Sequence, residues 1–305
     1  MIYQFERIGD ESAPLTKRAP RGEAKVNTFV SKSLKVALLT GLLATAGCRD
    51  LPLTTTETPT SEKSDCVTDY NPNTDYFPNK VQPKYATGFS VDYYNHYKVV
   101  TVTQPWQTAN ETFEYLLVQC GTPIPKGFED DQVIQVPINS VVTLSTTYLP
   151  HLELLDQLTS LVGMDNYSFV YAPNVRKKIE QGELIEFSSG KTLDIERLLV
   201  SGPDLIMAYG TGDPDVDSYN RLIQAGLPVA LVGDYVENSP LGRAEWLLFT
   251  ALFFNQEPKA QQVFTEISMR YESLVALTTR LSERPTVFSG FSYEGTWYMP
   301  GGKSY

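Results

Sequence analysis

The chain has 305 residues, 42 % hydrophobic and 20 % charged, enough for one large or two modest domains with buried cores. Its formal charge is −11, and because the first 47 residues hold 7 Lys+Arg against 4 Asp+Glu, the rest stands at −14. Such a surface repels phosphate backbones and anionic lipid, and with no basic stripe or zinc-finger spacing it excludes nucleic acid as a partner.

In chain order, the first readable feature is "SKSLKVALLTGLLATAGC", with Lys32 and Lys35, an apolar run from Val36 to Gly47, and Cys48. As a helix that run reaches ~18 Å, short of the ~30 Å of bilayer hydrocarbon, so it reads as a signal core and not a membrane span. Ala46, Gly47 and Cys48 resemble a bacterial lipoprotein cleavage site, which implies acylation of Cys48, export and a lipid anchor; Thr45 stands where Leu is usual, and a plain signal peptide with a chance Cys is the alternative. Residues 1–30 match no signal, and initiation nearer Val30 is expected. Residues 48–72, rich in Thr, Pro and Ser, read as a flexible tether. Cys66 and Cys120 remain as an even pair, expected in an exported protein to form a disulfide contributing about 4 kcal/mol, with two buried thiols as the alternative.

From Tyr85, "ATGFSVDYY", "YKVVTVTQP", "FEYLLVQCG" and "QVIQVPI" alternate apolar and polar residues between turn formers and predict hairpins or a meander. The period then changes. "SVVTLST" reads as a buried strand, and "YLPHLELLDQLTSL" as a helix with Leu152, Leu155, Leu158 and Leu161 on one face. "YSFVYAP" follows as strand, "NVRKKIEQG" as helix, "LIEF" as strand, "LDIERLLVSG" as a helix closed by Gly202, "PDLIMAYG" as strand, "PDVDSYNRLIQAG" as helix and "LPVALVGDY" as strand. Alternating strands and helices predict a parallel sheet covered on both faces, an α/β lobe. "SPLGRAEWLLFTALFFNQE" is a helix capped by Ser239, and residues 257–284 a long helix with Phe264, Ile267, Tyr271, Leu274 and Leu281 as its apolar stripe. "TVFSGFSY" then starts a new strand.

"LDIERLLVSGPDLIMAYG", "LIQAGLPVALVGDYVENSPLGRAEWLLF", the long helix and "TVFSGFSYEGTWYMPGGKSY", behind a signal and tether, resemble the substrate-binding lipoproteins of iron-siderophore and vitamin B12 ABC importers, from Val141 to Tyr305. The resemblance implies two Rossmann-like α/β lobes joined by one rigid helix, with ligand between them. The expected domains are 1–47 as extension and signal peptide, 48–72 as tether, 73–256 as first lobe with a β-hairpin extension, 257–284 as spine, and 285–305 as the start of a second lobe truncated at Tyr305. "GTWYMPGGKSY" becomes the first strand-to-helix loop of that lobe, with Trp297 and Tyr298 facing the cleft.

It further implies a ferric siderophore or related iron chelate as ligand, an ABC permease as partner, a membrane tie through the lipid, and no covalent step. Cobalamin or haem is the alternative ligand, and a single-lobe surface interaction or sensor lipoprotein the alternative class. Glu196 matches the position where a carboxylate of the first lobe pairs with permease arginines. Ser145, Thr146, Thr147 and Tyr148 stand where the first parallel strand hands over to a helix, at the end of the sheet where α/β folds bind ligands. Tyr171, Tyr209 and Tyr235 end later strands on the same rim. Arg176 and Arg243 are the candidates for meeting an anionic chelate, although Arg243 could equally be a strut to Glu237 or Glu245. His96 and His151 lie apart with no partner at ligand spacing, so no metal site and no cofactor is expected, the metal arriving inside its chelator. No Ser-His-acid order, GxGxxG or P-loop supports an enzyme.

Overall fold

The computed structural model describes residues 66–128, 133–189, 192–283, 285–287 and 289–299, so the signal, Cys48, most of the tether and the last residues, 300–305, lie outside the described residues. Alternation in the first strands becomes a hairpin: β1 (Phe89–Tyr93) and β2 (Tyr97–Val102) pair antiparallel with Val91 opposite Val100. Strand β3 (Phe113–Gln119) adds antiparallel to β2, whereas β4 (Val133–Val136) lies parallel to β3. The meander expected here is therefore corrected at its last step. The stretch between Gln119 and Val133 is long enough for the crossover that parallel pairing needs, and a tight turn would have forced the strands antiparallel. Cys66 is disulfide-bonded to Cys120 at the start of that stretch, and Val67 N–H donates to the Cys120 carbonyl at 3.0 Å.

The second sheet is built from β5 (Val141–Thr143), β6 (Leu161–Met164), β7 (Ile185–Glu186), β10 (Leu205–Ala208) and β11 (Val229–Leu231), all parallel, in the order β11-β10-β5-β6-β7. Between them run α1 (Leu149–Leu154), α2 (Pro173–Glu180), the small hairpin β8 (Ser188–Ser189) and β9 (Thr192–Leu193), α3 (Ile195–Ser201) and α4 (Tyr219–Gln224). The chain continues through α5 (Pro240–Leu252), α6 (Glu257–Thr278) and a second hairpin, β12 (Phe291–Tyr293) and β13 (Thr296–Tyr298).

Successive residues of the parallel strands face opposite cores, as the pleat requires. Val141, Leu205, Met207 and Ala230 join α1, α5 and the buried residues of the N-terminal sheet, including Val91, Leu117 and Ile134, in one cluster. Val142, Ile206, Ala208, Val229 and Leu231 pack against Leu198 of α3, Leu222 of α4 and Trp106 in the other. The β-rich extension is thus part of the same core as the lobe.

Four expectations are corrected. The helix read over "YLPHLELLDQLTSL" stops at Leu154, because Asp156 takes a left-handed φ of 58°, and Leu161 instead opens β6. "YSFVYAP" is consequently a turn and not a strand. The loop expected at "GTWYM" is a strand: Glu294 and Gly295, both at positive φ (49° and 76°), make the two-residue turn that folds β13 onto β12. The spine is helical over Glu257–Thr278 and not to Arg284's neighbourhood as expected; its buried side ends at Phe264, and every residue after Ser268 is exposed up to Glu283.

Candidate functional site

The carboxyl ends of the parallel strands form a rim. After β5, Ser145 caps a 3₁₀ turn of Thr146–Tyr148: its Oγ accepts from Thr147 N–H at 3.3 Å and lies 2.9 Å from Thr147 Oγ1. Ser145 and Thr146 are half-buried and Thr147 exposed, so cap and rim hydroxyls coincide. Tyr148 differs from them. It is 1 % exposed and its hydroxyl donates to the Ala208 carbonyl at 3.2 Å, which ties the turn after β5 to β10 from beneath.

Beyond β6, Asp165 N–H donates to the Thr143 carbonyl at 3.2 Å, its carbonyl accepts from Ser188 N–H at 2.7 Å, and its Oδ1 accepts from Asn166 N–H at 2.6 Å. Burial, reinforced by Glu186, raises its carboxyl above the usual range. Tyr209 directly follows β10, exposed at the rim, and the loop after it is held by Asp217, whose oxygens accept from Thr211 N–H (2.7 Å), Thr211 Oγ1 (2.8 Å) and Gly212 N–H (2.9 Å). Gly212, at φ 81°, leaves room for the Trp106 indole; a Cβ there would sit 2.7 Å from Nε1. After β11, Tyr235 donates its hydroxyl to the Gly210 carbonyl at 2.5 Å.

A cavity of about 110 Å³ opens among these ends, lined by Leu144, Asp165, Ser188, Tyr209, Ser218 and Arg221. Of the rim phenols, Tyr209 lines the cavity and is pushed up by burial and then by Asp165 and Asp217; Tyr235 rises to about 12 through burial, Asp217 and Asp234; Tyr148 is raised well above its usual value, by burial first. Asp234 is itself raised by burial, with Arg243 opposing. The rim offers hydroxyl donors, aromatic faces and carboxylates. That set can hold a ligand by hydrogen bonds and ring contact. Among the described residues no group of three His, Cys, Asp or Glu is arranged for a metal ion.

Arg243 Nη2 donates to the Tyr235 carbonyl at 2.8 Å. The strut to Glu237 or Glu245 takes another form, because both carboxylates accept backbone N–H groups of residues 84–88. Tyr171 does not end a strand: it lies in the loop before α2, 84 % exposed, and Arg176 is exposed on α2. Glu196 is exposed in the first turn of α3, whose N-cap Asp194 accepts from Arg197 N–H at 2.9 Å. Trp297 and Tyr298 sit on β13, where Tyr298 stacks on Phe291 with ring centres 5.3 Å apart.

A family profile described as periplasmic binding protein matches residues 141–305, more than half of the sequence. The chain belongs to that family. An uncharacterized lipoprotein of Methanocaldococcus jannaschii is 24 % identical over 206 residues, 63 % of this chain and 49 % of the relative. The chain spans about half the length of the curated relatives it matches. Among solved structures, the periplasmic vitamin B12 binding protein of Vibrio cholerae aligns with a TM-score of 0.37 at 19 % identity, over 47 % of this chain and 52 % of that one. A periplasmic binding protein of Veillonella parvula aligns with a TM-score of 0.43 at 15 % identity, over 61 % and 54 %.

In this periplasmic binding protein the rim residues missed by sequence reasoning are Asp165, Ser188, Ser218 and Arg221. Reading "YSFVYAP" as a strand moved the end of β6 past Asp165, and a helix drawn through "PDVDSYNRL" hid Ser218 and Arg221. Asp165-Asn166 straight after "LVGM" was the available signal, since a strand ending in Asp-Asn marks a turn.

Proposed function

We propose that this chain is a solute-binding lipoprotein of an ABC importer, exported and anchored through Cys48, whose rim captures a ferric siderophore or related iron chelate without a covalent step. Glu196, exposed at the start of α3, would dock the permease that receives the ligand. The observation that carries the reading is the hydroxyl and tyrosine rim around a cavity at the carboxyl ends of a five-stranded parallel sheet, in a member of this family. Binding by oriented phenols and hydroxyls suits a wrapped metal whose outer surface is carbonyl oxygen and ring.

Trp106 lies against the loop after Tyr209 and is a built-in reporter. Titration of the full chain with a ferric trihydroxamate is expected to change its fluorescence saturably, and Tyr209→Ala to weaken the binding about tenfold, the scale of one lost aromatic contact with its hydrogen bond. Parallel titrations with cobalamin and haem decide the ligand within the class. A flat response to all three would sink the capture reading.

A further inference from the structure

A second cluster of rings lies away from the rim, around the turn between β1 and β2. Tyr94 stacks on Tyr97 with ring centres 4.3 Å apart and planes 9° from parallel. Tyr97 meets Phe128 at 5.9 Å and His96 at 5.1 Å, His96 meets Tyr70 at 5.2 Å, and Tyr70 stacks on Tyr76 at 6.2 Å. Main-chain bonds hold the turn: Tyr94 N–H donates to the Tyr97 carbonyl at 2.9 Å, Tyr76 N–H to the Asn95 carbonyl at 2.7 Å and Gln119 N–H to the His96 carbonyl at 2.9 Å. These rings are not sealed in a core. Tyr94 is 48 % exposed, the other five are half-buried, and Ile124, in the loop that carries Phe128, is 50 % exposed.

The tether joins the folded body at this end, because Cys66 is bonded to Cys120 and Cys120 directly follows the Gln119 that pairs with His96. Residues 49–65 separate that point from Cys48 and span at most ~60 Å even when fully extended. The rim is at the other end. Strand β2 runs about 17 Å from Tyr97 to Val102; just beyond it the Gln104 carbonyl lies against Gly233, and Trp106 against Gly210 and Gly212. Glu196 belongs to the rim end too, since Asp194, the cap of α3, donates its N–H to the carbonyl of Phe187, which directly follows β7. We infer, on the reading of Cys48 as a lipid anchor, that the aromatic end rests in the headgroup zone of the bilayer that holds the anchor, leaving the rim and Glu196 turned outward.

Tyrosine suits that zone because its apolar ring and polar hydroxyl match the boundary between acyl chain and water. Charge does not drive the contact: Lys80 is paired with Asp75, and the exposed Asp69 and Asp92 outweigh Lys126. The lipid is therefore zwitterionic or neutral. The tether makes a weak contact sufficient, since it holds this end near the surface at high effective concentration. In this pose the rim is open to ligand, and docking through Glu196 requires the body to lift and turn.

The test uses the whole exported chain purified from membranes, with the mass of its N-terminal peptide reporting lipid on Cys48. Acylated Cys48 and the disulfide leave an introduced cysteine as the reactive thiol. A fluorophore is placed at Ile124→Cys or, at the rim, at Thr147→Cys, and each protein is reconstituted in phosphatidylcholine vesicles carrying a nitroxide just below the headgroups. Quenching at 124 is expected to exceed that at 147 at least about twofold, and Tyr94→Ser to narrow the difference about twofold, as for loss of the most exposed interfacial ring. Equal quenching, or stronger quenching at 147, in acylated protein overturns the membrane-facing end and leaves the capture reading intact. An unchanged difference in Tyr94→Ser overturns the role of the rings. A concentration-dependent change of the 124 label in lipid-free detergent assigns the surface to a second copy instead. Absence of lipid on Cys48 overturns the anchor and this orientation together.

Discussion

Glu245, buried in α5, turns its carboxylate toward main-chain donors: Lys84, Tyr85 and Ala86 N–H lie 2.9, 2.6 and 2.7 Å away. Glu237 does the same for Thr87 (2.8 Å) and Gly88 (2.9 Å), and accepts from Trp246 Nε1 at 3.1 Å. The five consecutive N–H groups cannot join a ladder, and a buried donor without an acceptor costs ~1–3 kcal/mol, so two carboxylates fasten the strap that leads into β1. An amide keeps the size of Glu245 but replaces one acceptor by a donor aimed at donors. Glu245→Gln should therefore lower unfolding stability by about 2–4 kcal/mol, seen as a lower urea midpoint at unchanged slope. A shift below about 0.5 kcal/mol would show that the strap is held by packing alone. Sequence reading offered Arg243 as partner to these glutamates because opposite charge is the pairing visible in one dimension. The true partners are backbone groups about 150 to 160 residues away, which no side-chain pattern announces.

At the scale of elements, α/β alternation was legible wherever local chemistry agreed with the fold. Ser239 caps α5 by accepting from Gly242 N–H at 2.9 Å, and Gly202 closes α3, both as the residue types foretell. It failed at β6, where four leucines at helical spacing ran across a break that only tertiary packing reveals, and the error carried Asp165 out of the rim. The spine was legible as a helix but its surroundings were not. Its stripe buries Phe264, yet Leu274 and Leu277, about one turn apart on α6, are each more than half exposed. A contiguous apolar stripe of this kind drives association. The chain is expected to self-associate with rising concentration in sedimentation experiments, and Leu274→Lys with Leu277→Lys together to shift it toward monomer without lowering its unfolding midpoint. Monomeric behaviour of the unaltered chain throughout would mean that the stripe has no such effect.

The four-stranded and five-stranded sheets share a core, so a charge placed between α1 and α5 should be felt as global stability. His151 occupies that place, with Nδ1 2.9 Å from Thr250 Oγ1, and burial pulls its imidazole down to about 4. In the unfolded chain a histidine takes its proton near pH 6.5. Between that value and about 4 the unfolded state therefore binds one proton more than the folded state, and stability must fall as pH falls. The full contribution is present above pH ~6.5, and about 3 kcal/mol of it is lost on acidification to pH ~4. Asp165 and Asp234, raised by burial, act in the opposite sense: their charged forms are disfavoured in the folded state, and that cost is relieved as pH drops through their folded values. The net acid limb is their difference, which is why the histidine has to be isolated by substitution. His151→Asn can keep a hydrogen bond to Thr250 and carries no titrating group, so its stability measured by urea unfolding from pH 7 to 4 should hold level or rise where that of the unaltered chain declines. Parallel curves for the two proteins would mean that His151 is protonated in the folded core without penalty, and that acid sensitivity arises elsewhere.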